Sequence, residues 1–225
     1  MTTLLHLDSS PRPDSVSRRL SGEFATAWRK SNPEATYVYR DLAADHVPHI
    51  DAAQIAVMHR LETEGVRDLA AARDAARTPE EVASWSVTWP LVEELLAADT
   101  IVLGVPMYNF SVPSTFKAWF DRILIAPLII DPETGRGPLS GKKVVVASAR
   151  GGAYGPGTPR QDSDHQERYL RAALGMVGVT EDDLTFLHAE MTKAVHVPRL
   201  ARFQDMAAAS YEAAMDGART LAARA

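Results

Sequence analysis

The chain has 225 residues, 46% hydrophobic and 24% charged, enough to build one sizeable core, and its 24 Lys+Arg against 29 Asp+Glu give a formal net charge of -5. The basic residues are scattered rather than gathered into a tract facing polyphosphate, so no nucleic-acid partner is expected. There is no cysteine, which excludes disulfides, thiolate metal sites, Cys nucleophiles and CxxC redox chemistry together; any redox work must belong to a bound cofactor.

The N-terminus runs straight into the apolar stretch Thr3–Leu7 without a basic leader region or a cleavage site, and reads as a cytoplasmic start. No stretch approaches the roughly 20 apolar residues of a membrane span. A first strand is predicted over Thr3–Asp8, then a helix whose buried stripe is Val16, Leu20, Phe24, Ala27 and Trp28. A second strand covers Thr36–Arg40. The long stretch Asp51–Ala98 exceeds a simple crossover and predicts two or three helices. One of them starts at the capping box Thr78-Pro79-Glu80-Glu81, and Pro90 is expected to break or kink it before Leu91–Ala98 resumes. Trp85 and Trp89 read either as apolar surface for a partner or as internal core.

A third strand follows at Thr100–Pro106, then a helix opened by Pro113 with Phe116, Trp119, Phe120 and Ile123 along one side. Gly135-Arg136-Gly137-Pro138 reads as a loop tip. The fourth strand is Lys143–Ser148. Ser163 with Gln166 resembles a second capping box, opening a helix with Tyr169, Leu170, Leu174 and Val177; a weaker fifth strand lies at Leu184–His188, and a long amphipathic helix runs from Arg199 to the end. The third and fourth strands are nearly unbroken apolar, as strands covered on both faces must be. Strand alternating with helix predicts a single α/β domain over residues 1–225: a doubly wound, open, parallel, five-stranded sheet with helices on both faces.

In such a sheet ligands sit beyond the carboxyl ends of the strands. After the first strand, Ser9-Ser10-Pro11-Arg12-Pro13-Asp14-Ser15-Val16-Ser17 precedes a helix, either a phosphate cup or a capped turn. After the third, Met107-Tyr108-Asn109-Phe110 offers flat surfaces and an amide suited to a planar heteroaromatic ring, or simply packing. After the fourth, Ala149-Arg150-Gly151-Gly152 lets backbone approach a ligand closely, or only turns. Other motifs fail. Gly137–Lys142 is one residue short of a Walker A and precedes a strand, no GxGxxG follows the first strand, and His188-Ala189-Glu190 lacks the cysteines of a zinc deaminase. His46 and His49 read as solvated loop histidines, His6 as a packed strand residue, and no metal ligand set is expected.

The serines at Ser9-Ser10, Ser15 and Ser17, the run Pro106–Phe110 and the run Arg150–Gly152 together resemble the FMN-dependent NADH azoreductases, also described as NADH:quinone oxidoreductases, of flavodoxin-like fold. Weaker agreement runs through Gly141-Lys142-Lys143, Leu174–Gly178 and Ala189-Glu190, so the likeness spans most of the chain. The resemblance implies an FMN phosphate on Ser10 and Ser15-Val16-Ser17, and a ring against Met107, Tyr108, Asn109 and Phe110. It also implies that Ala149, Arg150, Gly151 and Gly152 line the other edge, with the positive Arg150 and the glycine N–H groups beside the reduced ring. Ala149 departs from the family, which usually has Ser there, and Leu128–Arg136 lacks aromatic residues the family often carries. The resemblance further implies NADH as donor, a quinone or azo compound as acceptor in a ping-pong cycle, no catalytic side chain beyond a minor role for Tyr154, and a homodimer with the site at its interface. A flavodoxin-type electron carrier and a non-enzymatic regulatory or interaction protein are the alternatives on the same fold.

Overall fold

The computed structural model describes residues 2–224. Five strands, β1 (Thr3–Asp8), β2 (Thr36–Asp41), β3 (Thr100–Gly104), β4 (Lys143–Ala149) and β5 (Leu184–Ala189), form one sheet in the order β2-β1-β3-β4-β5. Every pairing is parallel. The order reverses between β1 and β3, which opens a crevice beyond their carboxyl ends.

The period of two along each strand sorts the core into two layers. Leu4, Val102 and Val145 pack with Phe24, Trp28 and Ala218 from α1 (Val16–Ser31) and a C-terminal helix. Leu5, Leu7, Ile101, Leu103, Val144 and Val146 face the opposite way, into a larger cluster. That cluster draws on α2 (Ala52–Thr63), α3 (Leu69–Arg73), α4 (Pro79–Ala97), α5 (Ser114–Ile123) and α6 (His165–Gly175). The C-terminal helix is α7 (Gln204–Ala222). No helix among the described residues is long and apolar enough to cross a membrane.

Four expectations need correction. Pro90 neither ends nor divides α4, which runs unbroken from Pro79 to Ala97; Pro90 is on the exposed side, as is Ser86, whose carbonyl the ring leaves without its helical partner. The cap of α6 is Asp164, whose side chain accepts from the Glu167 N–H. Gln166, read as part of a capping box, is instead fully buried. It accepts from Ser148 Oγ at 2.7 Å and donates to the Val105 carbonyl at 3.0 Å, stitching β4 to the end of β3. The final helix starts at Gln204, with Pro198–Phe203 forming a tighter 3-10 turn before it. Trp85 and Trp89 are 3% and 9% exposed and belong to the core, the indole of Trp85 donating to the Ala72 carbonyl at 3.0 Å.

Gly104 shows why β3 ends as it does. A Cβ there would lie 1.9 Å from Asp8 Oδ1, a buried carboxylate that accepts from Ser21 of α1 at 2.8 Å and from the Tyr39 hydroxyl at 3.1 Å. His6 is 3% exposed, its Nδ1 2.9 Å from the Tyr37 hydroxyl, a packed strand residue. His46 and His49 are exposed in their loop.

Candidate functional site

The turn after β1 is tied down from below. Ser9 donates through both its N–H and its Oγ to the Gly104 carbonyl, at 3.0 and 2.9 Å. Ser10 is 1% exposed, with its Oγ 3.4 Å from the Tyr108 hydroxyl. Ser15 occupies the cap position of α1 but makes no side-chain capping bond; its Oγ lies 2.9 Å from Ser17 Oγ instead. No acidic residue sits in the first turn of α1. By contrast α2, α3, α4 and α6 are capped by Asp51, Asp68, Thr78 and Asp164. The first N–H groups of α1 and the positive end of its dipole are thus left for an external anion.

The segment after β3 continues the ladder with β4, Val105 and Met107 donating to the Ala147 and Ala149 carbonyls at 3.0 and 2.9 Å. Tyr108 and Ser111 then exchange both backbone bonds, at 2.9 and 3.0 Å, around Asn109 at φ 48° and Phe110 at φ 72°. Positive φ at both central residues is a primed hairpin turn built without glycine. Asn tolerates this region; a Phe there is strained. The turn leaves Tyr108 and Phe110 38% and 45% exposed.

The bend after β4 departs from expectation at Arg150. Its side chain is 1% exposed and points into the interior, 2.9 Å from Asp164, 3.4 Å from Glu167 and 3.5 Å from Glu190. These carboxylates, brought by α6 and the end of β5, compensate the guanidinium, so its charge does not face the crevice. Its Nε has no hydrogen-bond partner among the described residues. Glu167 also accepts from His188 Nε2 at 2.8 Å, and this bond, aided by Arg171, holds its carboxyl down to about 2 against the burial that opposes ionisation. Tyr154 is 7% exposed, packed edge-on to Phe110 with its N–H bonded to Glu190 Oε1 at 2.8 Å.

These loops converge on a cleft of about 480 Å³, within the range of about 300–1,000 Å³ usual for small-molecule and cofactor sites. Of the residues anticipated, Ser10, Ser15, Val16, Met107, Tyr108, Asn109, Ala149 and Gly151 line it. Ser17 lies beneath, bonded to Ser15, and Phe110, Arg150, Gly152 and Tyr154 lie outside the lining. Arg12, within the loop read as a phosphate cup but given no role, also lines it, and sequence reading missed Arg19, Thr192, Lys193 and His196. The last three follow β5, whose carboxyl end lies on the same edge; applying the strand-end rule to the weak fifth strand would have found them. A second cleft of about 480 Å³ lies around Trp85 and Trp89, away from the strand ends. Among the described residues no group of three or more His, Asp or Glu is arranged to hold a metal ion.

A family model described as flavodoxin-like fold matches residues 2–213. A protein of Nocardia farcinica named FMN-dependent NADH:quinone oxidoreductase is 45% identical over 222 residues, covering 98% of this chain and 98% of its own. The crystal structure of an azoreductase from Bacillus anthracis superposes with a TM-score of 0.81 at 24% identity, covering 100% of both chains. An FMN-dependent NADH-azoreductase from the same organism, solved in complex with FMN, gives a TM-score of 0.76 at 24% identity, covering 98% of this chain and 100% of that one. At such identity the likeness to the solved structures is one of fold.

Proposed function

Because the chain belongs to the flavodoxin-like family of the FMN-dependent NADH:quinone oxidoreductases, we propose that it binds FMN in the cleft between β1, β3 and β4 and passes electrons from NADH to quinones and azo compounds. The observation that carries this reading is the pairing of an uncapped helix N-terminus with an aromatic-amide turn on one cleft. The donor set fits the cofactor from end to end. The free N–H groups of α1, with the hydroxyls of Ser10 and Ser15, would hold the phosphate dianion. Met107, Tyr108 and Asn109 would face the flat ring system, the Asn109 amide supplying a donor and an acceptor in one plane. The bend at Gly151, which lines the cleft, would meet the ring's other edge.

FMN supplies the redox chemistry, accepting two electrons from NADH and returning them to the acceptor in a second half-reaction. The protein's part is binding, orientation and electrostatics, and no catalytic side chain is required. Tyr154, buried and edge-on to Phe110, would support the turn that carries Asn109 rather than act on the substrate. NADH and the acceptor would use the same cleft in turn, a ping-pong order. In this reading a single domain forms a homodimer in the cytoplasm, the partner covering the exposed Tyr108 and Phe110.

The purified protein is expected to be yellow, to bleach anaerobically with NADH and to recolour on adding a quinone or an azo dye, with parallel-line initial-rate plots. A preparation that takes up no FMN overturns the reading; one that binds FMN but is not bleached by NADH reassigns it as an electron carrier.

A further inference from the structure

Reduction of a flavin by NADH moves two electrons and one proton onto the ring as NADH becomes NAD⁺, leaving the ring one negative charge richer. A preorganised cation beside the ring's pyrimidine edge favours that product. The family likeness offers Arg150 for the task, yet Arg150 is turned inward onto Asp164, Glu167 and Glu190. Another cation reaches the same bend. Lys193 stands on the 3-10 turn Thr192–Val195 that follows β5, and its stem crosses the face of Gly151. A Cβ built on Gly151 would lie 2.9 Å from both Cδ and Cε of Lys193.

The turn that carries Lys193 is fastened to the bend it overlies. Thr192 donates to the Arg150 carbonyl through its N–H and its Oγ1, each at 3.0 Å, and Met191 donates to the Gly152 carbonyl at 3.1 Å. Met191 adopts the left-handed region, φ 56°, where the chain leaves β5 for this turn. Lys193 lines the cleft together with Gly151 and, among the described residues, its ammonium has no carboxylate within ion-pair distance, unlike the guanidinium of Arg150.

We propose that Lys193 is the cation that faces the pyrimidine edge of the flavin, and that it raises the reduction potential of the bound cofactor by favouring its negatively charged reduced form. The inference rests on the FMN reading above. Glycine at position 151 is the other half of the device, since a side chain there would displace the lysine stem.

Anaerobic potentiometry on the FMN-loaded protein tests it. Lys193→Gln is expected to weaken the preference for reduced over oxidised FMN about tenfold, a fall of about 30 mV in the two-electron potential. Lys193→Arg restores the potential, and oxidised FMN, titrated by fluorescence, binds Lys193→Gln nearly as it binds wild type. The gap between wild type and Lys193→Gln narrows as ionic strength rises, because the ammonium is exposed. Equal potentials for wild type and Lys193→Gln overturn this inference and leave the FMN reading standing; a wild-type protein that binds no FMN overturns both.

Discussion

Ala149 ends β4 with a methyl group at the wall of the cleft, while Ser148 before it sends its hydroxyl the other way, to Gln166 at 2.7 Å. Neighbours along a strand face opposite sides, so Ser148 cannot substitute for a hydroxyl at position 149. Ala149→Ser therefore adds one donor to the cofactor's surroundings, an expected gain of about 1 kcal/mol, or about fivefold in FMN affinity by titration of the apoprotein. An unchanged affinity would remove this position from contact with the cofactor. Asn109 needs a different substitution, because its φ of 48° penalises most side chains. Asn109→Gly keeps the backbone and deletes only the amide; flavin content after purification is expected to fall while the circular dichroism spectrum stays native. Phe110 has no such excuse for φ 72°, and a residue held there costs on the order of 1–3 kcal/mol. That strain sits beside an aromatic ring that the core does not use, left half in solvent and edge-on to Tyr154.

Arg122 governs the placement of the helical excursion from α2 to α4. It is 1% exposed on α5 and donates to the carbonyls of Pro48, His49 and Ser84 at 2.6, 2.8 and 3.2 Å, and to Thr88 Oγ1 at 3.2 Å. Burial lowers its pKa, and Asp51, at 3.7 Å, works against that shift. Arg122→Met would leave the Pro48 and His49 carbonyls without this donor, while the Ser84 carbonyl keeps its partner within α4; each orphaned group costs about 1–3 kcal/mol when desolvated. A loss of at least about 3 kcal/mol in urea unfolding is expected, and a loss under about 1 kcal/mol would mean the loop re-pairs without it. The packing of α6 against β5 depends instead on ionisation. Glu167, held down to about 2, adds stability that is complete above the usual carboxylate value of 4.5 and disappears as pH falls between them. Glu167→Gln is expected to lower the melting temperature at neutral pH and to flatten its fall on acidification. If the acid limbs of the two proteins coincide, the His188–Glu167 bond contributes nothing to that slope.

At the scale of the whole molecule, what a one-dimensional pattern can carry is clear from particular elements. β3 and β4 are legible because a strand covered on both faces has no polar side to display, and α5 because Phe116, Trp119, Phe120 and Ile123 recur at helical spacing. The three loops of the cleft were legible because strand ends in this architecture meet on one edge. Direction inside a loop was not. Arg150 turns inward because acids from α6 and the end of β5, 14 to 40 positions later in the chain (164 − 150 and 190 − 150), lie behind it. Arg122 is likewise defined by carbonyls more than thirty residues earlier, and Gln166 imitates a capping residue while serving as a buried strut. The unfinished start of α1 has a consequence beyond affinity. Under the proposed function the phosphate of FMN completes this helix start, and a ligand that binds only the native state links occupancy to folding by mass action. FMN at a hundred times its dissociation constant should add about 2.7 kcal/mol to the native state, visible as a melting temperature that climbs with each increment of FMN and fails to climb with riboflavin, which has no phosphate, to the same degree. Newly made chains in a cell short of this vitamin-derived nucleotide would then be the least persistent, and the abundance of the protein would track the supply of what it carries.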